Sequence, residues 1–172
     1  LEVASDQFWK APASSTGKYH NPIGLGEGGL VEHSRLVCRF ACDALNFIGS
    51  FEREKFEIVI SAGLLHDMCK NGTPLKWGQY TVAHHGELAA AFLAQLFDSK
   101  SMYQIIQQPK HPIRHILHAI QSHYARWAPS HVIGIEKSWP PTTQAVLWAD
   151  YFASRKTIQS IKIDWSDVMK MK

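Results

Sequence analysis

The chain has 172 residues, 45% apolar and 19% charged, with a net charge of +3 and a pI near 8.8. That is the composition of a globular protein of one domain with a core of ordinary size. No apolar run approaches the roughly 20 residues a membrane-spanning helix needs, and no basic tract marks a surface for long nucleic acids. Residues 1–10, LEVASDQFWK, lack the basic-then-apolar pattern of a signal peptide. The chain starts at Leu1 rather than Met, as a piece of a longer protein would. Three cysteines, Cys38, Cys42 and Cys69, form no CxxC pair, so neither a disulfide framework nor a zinc knuckle is expected. A reducing, cytoplasmic setting follows as the expectation. Ten histidines are the unusual feature of the composition.

Residues 1–29 read as irregular, with PASSTGKYHNP and GLGEGG supplying turn signals. Gly17-Lys18 does not make a phosphate-binding P-loop. Pro12 replaces its first Gly, and Tyr19 stands where Ser or Thr is required. The segment carrying Trp9, Lys18, Tyr19 and His20 is instead a surface loop pinned by aromatics, or a lid in which Lys18 and Tyr19 contact a substrate.

The first strong helix is LVEHSRLVCRFACDALNFI. Its stripe at 36, 37, 40, 41, 44, 45 and 48 extends back to His33. A second helix is expected from about Glu54 to Met68, closed by Asn71-Gly72 as a C-cap. A third begins near Thr81 and runs AHHGELAAAFLAQLF, with His85 on its apolar stripe and His84 at the edge. Pro112 opens a fourth, whose stripe of Ile113, Ile116, Leu117 and Ile120 continues into His123, Tyr124 and Trp127. On its other side His111, His115 and His118 read as a solvated face. The fifth follows Pro140-Pro141, with Val146, Ala149, Asp150 and Ala153 on one side. No stretch alternates with period two, so the expected fold is an all-α bundle of five main helices.

Every one of these stripes carries a metal-competent residue: His33, the pair His66-Asp67, His85, His123 and Asp150. A single imidazole on an apolar face is usually a hydrogen-bonded core residue. Six such residues spread over five helices are harder to satisfy one by one. A buried carboxylate without a partner costs several kcal/mol, and the stripes supply no cations for Asp67 and Asp150. Shared metal satisfies all six, because imidazole nitrogen and carboxylate oxygen suit Mn, Fe, Co, Ni or Zn, with Mg a further candidate. Facing helices of a bundle commonly build such a site.

The order His33, then His66-Asp67, then Asp150 resembles the H…HD…D signature of the HD-domain metal-dependent phosphohydrolases. The resemblance runs over roughly residues 24–156, through GGLVEHS, AGLLHDMCK, HHGELAA, IQSHYARW and LWADYFASRK. His85 and His123 resemble the additional ligands of two-metal members, among them phosphodiesterases and bacterial 3′→5′ exoribonucleases. His85 fits this pattern better than His84, because Ala89 supplies the small residue four positions on. The resemblance implies an HD-type helical bundle in which His33, His66, Asp67 and Asp150 hold one divalent ion. Asp67, His85 and His123 would hold a second within about 4 Å, with Asp67 bridging, and metal-bound hydroxide would attack phosphorus. Lys70 resembles the lysine that often follows the pair and would hold a phosphate oxygen, although a lysine there also suits the end of a helix. Arg126 is a second candidate for phosphate.

The implied substrate is a nucleotide or a short single-stranded nucleic acid, a phosphodiester being favoured over nucleotidase or triphosphate hydrolase chemistry. No membrane partner is expected and no oligomer is indicated. Two other classes stand beside this reading: a nucleotide-sensing or interaction module with a non-catalytic metal site, and a di-iron oxygenase of HD type.

Overall fold

A computed structural model describes residues 4–14, 16–18, 20–125 and 139–156. It is mostly helical. The order is α1 (Asp6–Lys10), a 3-10 turn (Pro22–Gly24), α2 (Gly29–Phe47), α3 (Arg53–Leu65), β1 (Gly72–Thr73), β2 (Lys76–Trp77), α4 (His85–Ala94), α5 (Ser99–Gln107), α6 (Pro112–Ser122) and α7 (Pro141–Ala153). The two short strands form one antiparallel hairpin, Gly72 opposite Trp77. The expected all-α architecture holds. Among the described residues no helix is long and apolar enough to cross a membrane.

The stripe on α2 builds the centre of the fold. Leu36, Val37, Ala41 and Leu45 are buried against Val59 and Ala62 of α3 and Val146 and Ala149 of α7. The same cluster continues into Ala89 and Leu93 of α4 and Ala119 and Ile120 of α6. The outer face of α2 carries the charges, with Arg35 paired to Glu32 and Arg39 to Asp43. Burial of each Val or Leu here contributes about 1.5–3 kcal/mol. Small residues set the spacing: a Cβ on Gly63 would lie 2.8 Å from Cys38 Sγ and 3.2 Å from Cys38 N, so α2 and α3 touch backbone to backbone there. Cys38, Cys42 and Cys69 are all free thiols.

Several boundaries differ from the sequence reading, each for a local reason. The N-terminal segment is not wholly irregular: Ser5 caps α1, and Asn21 caps the 3-10 turn. Phe8, Ala11, Ala13 and Leu30 make a small second core, so an aromatic anchors this segment to the bundle. The α3 helix ends at Leu65, and residues 66–71 run on as turns. Gly72 therefore does not cap it. Its φ of 123° serves the hairpin, where an added Cβ would meet Lys76 O at 2.3 Å.

The α4 helix begins at His85 rather than Thr81, and α6 stops at Ser122, with His123 at its C-cap. Helix α5 was not expected. Asp98 caps it through Lys100 N and Ser101 N, both at 3.0 Å, but its burial is too sparse to write a stripe. The histidines of α6 are not a solvated face either. His111 caps the helix through Ile113 N at 3.2 Å, and His118 Nδ1 lies 2.8 Å from Thr143 Oγ1.

Candidate metal centre

Five elements deliver the six candidate residues to one place. His33 lies on the buried stripe of α2, and Asp150 in the last turn of α7. The other four sit at helix ends: His66 is the C-cap of α3, Asp67 follows it into the turn, His85 opens α4 and His123 is the C-cap of α6. A helix end leaves carbonyls without intrahelical partners or exposes the chain just before it, and the histidines use this. His66 Nδ1 reaches Gly63 O at 2.8 Å, His85 Nδ1 reaches Val82 O at 2.8 Å and His123 Nδ1 reaches Ile120 O at 2.6 Å. A carbonyl oxygen only accepts, so each of these rings carries its proton on Nδ1 and turns the Nε2 lone pair inward. That is the arrangement of a ligating histidine with its outer nitrogen anchored.

The inward atoms are close. His33 Nε2 lies 3.3 Å from His66 Nε2 and 3.0 Å from Asp150 Oδ1. Asp67 divides its two oxygens. Oδ2 faces His66 Nε2 at 3.5 Å and His33 Nε2 at 3.8 Å. Oδ1 faces His85 Nε2 at 3.1 Å and His123 Nε2 at 3.6 Å, and those two nitrogens are 3.1 Å apart. Lys70 Nζ contacts Oδ2. Exposure is 2% or less for His33, His66, Asp67 and His123 and 8% for His85.

Lone pairs at these separations repel unless a proton or a cation lies between them. Among the described residues, Asp67 Oδ1 and His33 Nδ1 are buried without a hydrogen-bond partner. His85 and His123 have spent their ring protons on backbone carbonyls, so in their neutral forms they cannot supply one to Oδ1. Two donors each about 2.1 Å from a common ion stand roughly 3.0–3.4 Å apart at octahedral or tetrahedral angles, close to what is seen here. His33, His66 and Asp150 offer ligand atoms within 4.8 Å of one another, as do His66, Asp67 and His123. The donor set fits a divalent transition ion, and the cluster could hold a metal.

The electrostatics keep the ligands in the state a metal needs. Burial pushes the His66 imidazole down to about 3, so it is neutral at ordinary pH. Burial, the largest single influence, would raise the Asp67 carboxyl, but the Lys70 ammonium together with the His66, His123 and His85 imidazoles outweighs it and holds the group well below the usual carboxylate range. Burial would raise Asp150 most, but its hydrogen bond with His33 and the electrostatic pull of the His33, His66 and His123 imidazoles together outweigh it, so it too lies below that range.

A cavity of about 600 Å³ opens over the cluster, lined in part by Ser14, His20, Lys70, Tyr124, Ser154 and Arg155. Lys70 therefore lines the cavity beside the cluster. Lys18 does not: it is exposed and outside the cavity wall. Tyr19 and Arg126 lie outside the described residues. His84 is exposed beside buried His85.

Sequence reasoning gave no site role to Ser14, Tyr124, Ser154 or Arg155. Tyr124 was a core residue on the stripe, yet its ring stacks on His85 at 4.8 Å and 28°. Its place two residues beyond the end of a helix left no periodic signal for that contact. His20, which the sequence placed in a surface loop or a lid over the cleft, lines the cavity, and its imidazole is lowered to about 4 by burial, with His33 and Lys70 adding to the effect. Comparisons with protein-family models, with characterised proteins and with solved structures returned no match.

Proposed function

We propose that the chain is a metal-dependent phosphohydrolase of the HD type that cleaves a phosphoester of a nucleotide or a short single-stranded nucleic acid. The observation that carries this reading is the division of Asp67, one oxygen toward His33 and His66, the other toward His85 and His123. A carboxylate used in that way suits two ions side by side, with His33, His66 and Asp150 completing one donor set and His85 and His123 the other. A bound pair of divalent ions supplies an acidified water and neutralises charge on phosphate oxygens.

The chain's own groups do the rest. The anchored imidazoles keep their Nε2 atoms fixed, which limits reorganisation during the reaction. Lys70, at the cavity wall and in contact with Asp67 Oδ2, has further ammonium N–H donors that suit a phosphate oxygen. The cavity of about 600 Å³ falls within the roughly 300–1,000 Å³ of small-ligand sites, which suits a nucleotide or a strand end. Two-ion sites serve phosphatases as well as nucleases, and it is together with the resemblance to 3′→5′ exoribonucleases that this donor set slightly favours a phosphodiester.

The test is elemental analysis of purified protein, followed by phosphate or nucleotide release from mono-, di-, tri-, cyclic and oligonucleotides with Mn²⁺, Co²⁺, Ni²⁺ and Mg²⁺. Metal in the protein and release from at least one substrate, abolished in Asp67→Ala, is the expected result. Metal-free protein with no release, or release that survives Asp67→Ala, sinks the proposal. Oxygen uptake without phosphate release would favour the oxygenase, and tight nucleotide binding without turnover the sensing module.

A further inference from the structure

The N-terminal segment contributes two polar side chains, Ser14 and His20, to the cavity over the metal centre. Backbone contacts fix where they stand. Ala13 N donates to Gly24 O at 2.8 Å, and the Asn21 side chain accepts from Ile23 N at 3.1 Å in the turn that follows His20. Space is tight where this turn meets α2. A Cβ on Gly29 would lie 2.2 Å from Gly24 O, and one on Gly24 would lie 3.0 Å from Ala13 Cβ. His20 is thereby set beside His33, with ring centroids 5.9 Å apart and planes at 58°.

Among the described residues, His20 belongs to neither group whose ligand atoms cluster within 4.8 Å, yet it lines the same space as Asp67, Asp150, His85 and His123. It also differs from the anchored imidazoles. His66, His85 and His123 spend their ring protons on backbone carbonyls, whereas neither nitrogen of His20 makes a hydrogen bond to a described residue. A neutral imidazole carries one N–H in either tautomer, so this ring always has a donor to offer. Ser14 Oγ accepts from Gly17 N at 3.1 Å, which leaves its own O–H to donate. Phosphoryl oxygens only accept, and a hydrogen bond to a charged oxygen is stronger than one between neutral groups.

We propose that His20 is a substrate-binding residue whose ring N–H donates to a non-bridging oxygen of a phosphoryl group seated against the metal centre. This rests on the phosphohydrolase reading and deepens it by making the N-terminal segment a wall of the substrate site. The competing role is structural, in which His20 only packs against His33 and steadies that ligand. Phenylalanine keeps a ring in contact with His33 and removes the donor. Glutamine gives up the ring and keeps an N–H. His20→Phe and His20→Gln therefore separate the two roles.

The experiment is calorimetric titration of inorganic phosphate into Mn²⁺-loaded wild type, His20→Phe and His20→Gln, with Mn²⁺ stoichiometry and the unfolding midpoint measured on each. His20→Phe is expected to bind phosphate about tenfold more weakly or worse, with Mn²⁺ content unchanged, and His20→Gln to recover most of that loss. KM for the cleaved phosphoester should rise in His20→Phe more than kcat falls. Wild-type phosphate affinity in His20→Phe overturns the assignment, and so does a His20→Gln variant no better than His20→Phe. Loss of Mn²⁺ or a lowered midpoint in both variants overturns it in favour of the structural role. Wild type that binds Mn²⁺, yet neither binds phosphate nor releases it or a nucleotide from any phosphoester, overturns the phosphohydrolase reading and the assignment with it. Wild type that cleaves a phosphoester, beside variants of equal phosphate affinity and KM, overturns the assignment alone.

Discussion

Gly86→Ala tests whether the centre depends on the close approach of α4 and α6. An added Cβ would lie 2.5 Å from Tyr124 Cε1, 2.9 Å from Tyr124 Cδ1 and 2.8 Å from Ile120 O. The Tyr124 ring is hemmed in by His85, on which it stacks. A backbone oxygen cannot swing aside, so α6 itself must move. Overpacking of this kind costs about 1–3 kcal/mol. Alanine is intrinsically better than glycine in a helix by about 1 kcal/mol, and by less in a first turn, so the clash wins. The expected net loss is about 1–2 kcal/mol, or a fall of about 2–8 °C in Tm for a chain of this length. The same displacement opens the 3.1 Å approach of His85 to His123, so metal affinity at that pair should fall with it. Thermal melts of metal-free protein and a Mn²⁺ titration read both effects. A variant with wild-type Tm and wild-type metal affinity would refute the reasoning.

Two further outcomes follow from the buried charges. The folded state holds His66 near 3 by burial, against about 6.5 when unfolded, so the unfolded chain binds the extra proton between those values. Stability of the metal-free protein should therefore decline as pH falls below about 6.5, by at most about 1.4 kcal/mol per pH unit from this residue. Asp67 and Asp150, both depressed, add to the loss below about pH 4. Melts across pH 4–8 that stay flat or rise toward acid would contradict this. Lys70→Met leaves Asp67 without its cation, and the side chains are 12% and 2% exposed. The metal-free variant should lose about 3–5 kcal/mol, and Mn²⁺ should restore more of its stability than it adds to wild type. Equal Tm values for the two metal-free proteins would show that the contact contributes nothing.

Much of this was legible in the sequence because burial and chemistry wrote the same periodic pattern. The stripes of α2, α6 and α7 carry Val37, Ile120 and Val146 into the core, and His33 and Asp150 share those faces with them. The HD pair was legible as a polar interruption, but the path beyond it was not. Residues 66–71 keep helical composition while the backbone bends, because Lys70 O receives Val82 N at 2.8 Å and Asn71 O receives Gly78 N at 2.6 Å. Those bonds come from residues distant enough that no local pattern announces them. The cavity wall was least legible, since Ser14, His20 and Arg155 reach it from loops and a helix end, where side-chain direction follows tertiary contacts and not a repeat.

The central claim is that Asp67 joins two histidine pairs around shared metal, and Mn²⁺ titration of metal-free wild type beside Asp67→Asn tests it most directly. Asparagine keeps the shape and removes the charge. Wild type should bind up to two equivalents, and Asp67→Asn should lose about a hundredfold or more in affinity, beyond the 10–100-fold cost of losing an outer-shell partner. Wild type that binds no metal, or a variant that binds it as wild type does, would contradict the account.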